Sequence, residues 1–197
     1  MRRKTQSLVV TLLLALRVFN DANAQDPKTQ PAEPKTKLEA FQAKSGAVII
    51  RGFSKVGTLY DRPNGWNTAV EVTCREFTDA SSRKKEYGIT VTVKSGSRIE
   101  QQSTSYIDYD EIDSLVKGID YIAKVDKTTT KLADFQADYK TKGDLIVFTF
   151  SDSQGKVLAG IQAGLLGGTS AYLTLADLEQ FKKLILKSNE MLDGIKK

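Results

Sequence analysis

Residues 103–124 read STSYIDYDEIDSLVKGIDYIAK and residues 169–190 read TSAYLTLADLEQFKKLILKSNE; the two align without a gap at a separation of 66 positions. Tyr106 falls on Tyr172, Ile107 on Leu173, and Ile112, Leu115 and Ile119 fall on Leu178, Phe181 and Ile185. The +3, +4 spacing of the last three positions puts one apolar stripe on each of two helices. Asp108 and Thr174 occupy the same N-cap position, with Glu111 and Asp177 three residues later in the pattern of a capping box. One strand ending in Tyr-Ile or Tyr-Leu runs into each helix.

Upstream of each helix the apolar period changes from 3.6 to 2. In the second half Phe135–Tyr139, Leu145–Phe150, Lys156–Ala163 and Thr169–Leu173 alternate, with turns at Lys142-Gly143-Asp144, Asp152–Gly155 and Gly164–Gly168. In the first half Thr68–Phe77, Tyr87–Val93, Arg98–Gln102 and Ser103–Ile107 do the same around the polar tip Asp79–Lys85 and Gly96. Val, Ile, Thr and aromatic alternation broken by Gly, Ser and Asp reads as antiparallel hairpins. The chain is therefore expected to be α+β: two β-β-β-β-α repeats, 46–126 and 132–197, forming one pseudo-two-fold domain. Asp126–Lys131 joins the halves, and an extra N-terminal strand pair, Ala47–Phe53 and Gly57–Tyr60, precedes them. Each sheet has a face to bury, against its own helix or its sister half.

Ahead of this body, residues 1–24 (MRRKTQSLVVTLLLALRVFNDANA) follow the grammar of a secretory signal peptide. Arg2, Arg3 and Lys4 form a basic start, Leu8–Leu16 is apolar apart from Thr11, and Ala22 and Ala24 sit at the small positions of a cleavage site. Arg17 ends the apolar run well short of a membrane span. Cleavage after Ala24 and a secreted or periplasmic location are expected. Residues 25–45 hold Pro27, Pro31 and Pro34 and few apolar groups, and read as a flexible tether to about Lys37, with a short helix over Leu38–Lys44 as an option.

The 197 residues include 29 Lys+Arg, 24 Asp+Glu, no His and one Cys. Removing the leader takes away four basic residues and one acid, so 29 and 24 become 25 and 23, too even a balance to argue for a polyanion. The missing imidazole excludes Ser-His-Asp and Cys-His nucleophiles and His-ligated metals, and a lone Cys excludes an intramolecular disulfide. Cys74, in phase with Val70 and Val72, reads as a core residue.

Gln154-Gly155-Lys156-Val157-Leu158 in a hairpin, followed by the strand-to-helix stretch Leu173–Ile185, resembles the Whirly and transcriptional positive-cofactor families, whose architecture is a duplicated β4α unit. The resemblance covers the last third of the chain and the first half by internal analogy; it implies this fold and single-stranded DNA binding. The leader, the near-neutral mature charge and the lack of a matching Lys-Gly-Lys element in the first half depart from that pattern, so nucleic acid is not the expected partner.

Several side chains invite a functional reading. Asp108, Asp110, Glu111 and Asp113 form an acidic cluster with no EF-hand spacing, and acids in a first helical turn are expected to cap it. Arg83-Lys84-Lys85 reads as a solvated hairpin tip. Gly160, Gly164, Gly167 and Gly168 lack a phosphate-loop pattern and read as turn residues. Trp66 either plugs a sheet end or marks a binding surface. The candidate partner surface consists of the tip Leu165-Leu166 and the basic-aromatic trio Tyr139, Lys140 and Lys142. No catalytic, cofactor or metal residue is assigned. The leading expectation is an exported, non-enzymatic binding or structural domain with a protein or small-molecule partner. A Whirly-like nucleic-acid binder is the alternative. A third reading is an exported enzyme using carboxylates alone, such as Asp110 with Asp134 or Asp138.

Overall fold

Among the described residues, eight strands pair in sequence order into two separate four-stranded antiparallel sheets. The computed structural model describes residues 33–61, 68–96, 100–165 and 167–196. The first sheet contains β1 (Ile49–Tyr60), β2 (Ala69–Asp79), β3 (Lys85–Lys94) and β4 (Gln102–Asp108); the second contains β5 (Gln136–Lys140), β6 (Leu145–Ser151), β7 (Val157–Ala163) and β8 (Thr169–Leu173). Helix α2 (Ile112–Ile122) follows the first sheet and α3 (Leu175–Ile195) the second, so the α+β reading and its duplicated β4α units hold.

Two boundaries differ from expectation. The stretches Ala47–Phe53 and Gly57–Tyr60 are not an added pair but one strand, β1, whose register shifts between Lys55 and Gly57. The bulge bends the strand without ending it, and β1 is the first of the four. The expected strand Arg98–Gln102 lies partly outside the described residues, which omit 97–99; Glu100 and Gln101 are not in a strand and β4 begins at Gln102.

The optional short helix over Leu38–Lys44 is present, with slightly earlier bounds. Helix α1 (Lys37–Gln42) is closed by a capping box between Thr36 and Glu39, and buries Leu38 and Phe41. Spaced three residues apart, these two side chains share one face and form a small second core with Phe77 on the outer face of the first sheet, flanked by Ile49 and Tyr106. The leader and residues 25–32 lie outside the described residues.

The main core lies between the inner faces of the two sheets. Val70, Val72, Ile89, Val91 and Ile107 come from one sheet, and Val147, Ala159, Ile161, Ala171 and Leu173 from the other. The helical stripes are buried as their spacing requires: Ile112, Leu115 and Ile119 on α2, and Leu178, Phe181 and Ile185 on α3.

Each helix also reaches the other repeat's sheet. The Leu184 side chain on α3 sits over Gly57 on β1, where an added Cβ would lie 2.6 Å from Leu184 Cδ2. The Tyr139 ring on β5 sits over Gly118 on α2, where an added Cβ would lie 2.3 Å from the ring. The pairing registers make Gly57 and Tyr139 equivalent, since they connect across the strands to Ser105 and Ala171 respectively. Gly118 and Leu184 are equivalent at the same offset of 66. The two repeats thus make the same contact with the large and small partners exchanged. Close packing leaves no room for two large side chains at either place.

Candidate functional site

The two sheets treat their outer faces differently. On the first, α1 covers the lower end, and Gln42 Nε2 donates to Tyr106 Oη at 2.8 Å. On the second, no helix among the described residues lies over the equivalent Tyr172, which is 41% exposed. Strand β6 is apolar on both faces, with Leu145 and Val147 inward and Ile146, Phe148 and Phe150 outward. A strand patterned this way is built to be covered on both sides.

Three rings gather on this face. Tyr172 on β8 pairs with Gly160 on β7, which pairs with Phe148 on β6. Gly160 carries no side chain, so the Phe148 ring lies down over it; an added Cβ would meet Phe148 Cζ at 2.3 Å. Phe148 and Phe150 have centroids 5.9 Å apart, and Tyr172 stands edge-on to both, at 6.3 and 6.0 Å. Around the rings Gln136, Asp138, Ile146, Gln162 and Ser170 complete a hollow of about 500 Å³. Ser170 Oγ donates to Gln162 Oε1 at 3.4 Å, and Gln162 Nε2 to the Gly164 carbonyl at 3.0 Å, so the polar wall is fixed.

A second hollow of about 550 Å³ adjoins the first, with Ser170 and Tyr172 lining both. Its walls include Asp61, Thr68, Gln101 and Thr169. Asp61 is 6% exposed, and its Oδ2 accepts the Tyr172 amide at 3.4 Å. Its Oδ1 is buried, with no hydrogen-bond partner among the described residues. A buried carboxylate oxygen without a donor is costly, so it marks a place where a donor is wanted. Among the described residues, Asp61 and Asp138 are the charged groups lining the two hollows, and no Lys or Arg lines either.

The residues singled out from sequence fall elsewhere. Leu165 is 45% exposed at its tip, and Leu166 lies outside the described residues, as does Trp66. Gly164 and Gly167 adopt positive φ in that turn as expected, whereas Gly160 is a strand residue with a packing role. Tyr139 faces inward onto α2, and burial pushes its hydroxyl above the usual range, with the Glu111 carboxylate adding to the effect. Lys140, next along the strand and so on the other face, pairs with Asp144 at 3.0 Å. Lys142 is exposed, and its amide donates to Glu111 Oε1 at 2.9 Å. Tyr139 and Lys140 therefore present no common stacking surface.

The acidic cluster does not cap its own helix. A 3₁₀ turn, Tyr109–Glu111, leads into α2, and neither Asp108 nor Glu111 makes a side-chain cap there. Asp108 instead takes the amides of Lys37 and Leu38, at 2.8 and 3.2 Å, and so holds the start of α1. Glu111 holds the β5–β6 turn through Lys142. Asp110 pairs with Lys37 at 2.7 Å, and that hydrogen bond holds its carboxyl below the usual range. In the second repeat the expected Thr174–Asp177 capping box does form. Asp134 accepts from Ser151 Oγ at 3.0 Å, while Asp110 and Asp138 line different hollows.

At the hairpin tip, Lys84 and Lys85 pair with Glu86 and Glu76. The Cys74 thiol is 5% exposed, donates weakly to the Ser188 carbonyl at 3.6 Å, and is pushed up by burial, in keeping with a core role. Sequence reading missed Asp61, Phe148 and Phe150 as site residues. The signal was present in the outward apolar residues of Leu145–Phe150, which a strand with one solvated face does not need.

Protein-family models, curated proteins and solved structures were all compared with the chain, and none matches.

Proposed function

We propose that the protein is an exported, non-catalytic binding domain that takes its ligand over the outer face of β5–β8. One observation carries this reading: Phe148, Phe150 and Tyr172 form an aromatic cluster on an outer face that no helix among the described residues covers, whereas α1 packs beside Tyr106, the first-repeat equivalent of Tyr172. Aromatic side chains bordered by a few fixed polar groups are the usual composition of a ligand site. Export rests on the leader grammar of residues 1–24. The Whirly-like alternative draws support from the duplicated β4α architecture, but the charges that line the hollows among the described residues, Asp61 and Asp138, repel a phosphate backbone.

Backbone amide NMR tests the ligand face. A set of small fragments added to the labelled protein is expected to move the amides of Gln136, Gln162, Ser170 and Tyr172. Perturbations confined to the Leu165 tip or to the outer face of β1 would overturn it. Intact mass tests export: protein recovered outside the cytoplasm should begin at Gln25, and an unprocessed chain retained inside would remove that part of the proposal.

A further inference from the structure

The chemistry of the paired hollows also points to the kind of ligand. We propose that they bind a primary amine or guanidinium group carried on a short apolar stem. This inference rests on the outer-face reading above and adds the sign of the ligand's charge.

Three independent features converge on it. First, Asp61 Oδ1 is buried, has no donor among the described residues and belongs to a residue 6% exposed in the wall of the second hollow. A carboxylate is an acceptor only, so what it lacks is an N–H or O–H. Second, Asp138 stands exposed in the hollow around the three rings, and no Lys or Arg among the described residues lines either space. Third, Tyr172 lies between the two carboxylates, lining both hollows, with Phe148 and Phe150 beside it. Aromatic faces attract cations through their quadrupole and accept a methylene stem by burial.

A polyol would satisfy the missing donor but gains nothing from the negative field, and an anion is repelled by it. An amine uses all three features: its charge meets a carboxylate, its N–H groups supply the donor, and its stem lies on the rings. Charge-assisted hydrogen bonds are also about twice as strong as neutral ones. Lysine or arginine side chains of a peptide and free aliphatic diamines share this chemistry.

The test titrates the purified protein, followed by amide NMR, with 1,4-diaminobutane, 1,4-butanediol and succinate. Diaminobutane should move the Gln162, Ser170 and Tyr172 amides saturably, with an affinity about tenfold above that of the diol. Added salt should weaken it, and succinate should leave these amides unmoved. Asp138→Asn, at an exposed position, should remove most of the preference for the amine, and Asp61→Asn should weaken it as well. An acetyl-lysine-amide titration against free diaminobutane separates a peptide source from a small-molecule one. Equal binding of diol and diamine at these amides, or a diamine preference untouched by either substitution, overturns the amine assignment and leaves the outer-face reading standing. If neither these probes nor the fragment set moves the hollow's amides, both fall.

Discussion

Ser103 and Thr169 occupy the same position in the two repeats, 66 residues apart, and their side-chain oxygens hydrogen-bond to each other at 3.1 Å. Thr169 also donates its amide to Ser103 Oγ at 3.2 Å. A residue that touches its own repeat equivalent sits beside the axis relating the two halves. The pseudo-two-fold therefore passes close to the starts of β4 and β8. Nearby, the Gly164 amide donates to Ser105 Oγ at 3.1 Å, so this junction is polar beside the apolar inner faces of the sheets.

That junction makes a measurable prediction. Ser103→Ala strands the Thr169 amide, and Thr169→Val removes the partner hydroxyl; each should cost about 1–2 kcal/mol in urea unfolding. The double variant should cost less than the two singles together, with a coupling of about 0.5–1.5 kcal/mol. Strict additivity would show that the pair contributes nothing across the axis.

Gly118 offers a test in which two principles predict opposite signs. In an exposed helix, Gly→Ala stabilises by about 1 kcal/mol. Here the new Cβ would meet the Tyr139 ring at 2.3 Å, and overpacking costs about 1–3 kcal/mol. Gly118→Ala should therefore lower the unfolding midpoint, and Tyr139→Leu added to it should recover part of the loss. A raised midpoint for the single variant would mean that the ring does not rest on this helix.

Asp108 predicts a local effect, since its carboxylate takes two amides at the start of α1. Asp108→Ala should cost about 1–2 kcal/mol, the range for a lost helix cap. Hydrogen exchange should accelerate across Lys37–Gln42 while β6 and β7 keep their protection. Unchanged exchange in α1 would assign its docking to Leu38 and Phe41 alone.

What could be read in advance depended on the range of the interaction. The stripes on α2 and α3 come from neighbours three and four residues apart, and Ile112, Leu115, Leu178 and Phe181 are buried accordingly. The Thr174–Asp177 cap is equally local and also forms. Asp108 was misread because its partner Leu38 lies 70 residues away, and nothing within the sequence window distinguishes a cap on its own helix from one on another. Tyr139 was placed with Lys140 and Lys142 by proximity along the chain, whereas strand alternation sends Tyr139 and Lys140 to opposite faces. The aromatic cluster needed the strand registers: Phe148, Gly160 and Tyr172 become neighbours only through two ladder pairings.

Glu111 carries the pH prediction. Burial pushes its carboxyl above the ordinary value of 4.5; the Lys142 amide and ammonium oppose that shift, and the Asp108 and Asp110 carboxylates add to it. Its Oε2 is buried without a partner among the described residues, so ionisation places a charge where only one oxygen is satisfied. With the folded value above the unfolded one, the folded chain holds this proton more tightly. Its contribution to stability is full below about pH 4.5 and is lost as pH rises through the folded value. Glu111→Gln does not titrate, so its stability relative to the unsubstituted protein should improve in urea unfolding as pH rises above about 4.5 and level off once pH has passed the folded value. The comparison uses the change with pH rather than the absolute difference, because the amide that replaces the carboxyl shifts every point by the same amount. A gap that stays constant, or that moves against the variant as pH rises, would mean that Glu111 ionises in the folded protein as readily as in the unfolded chain.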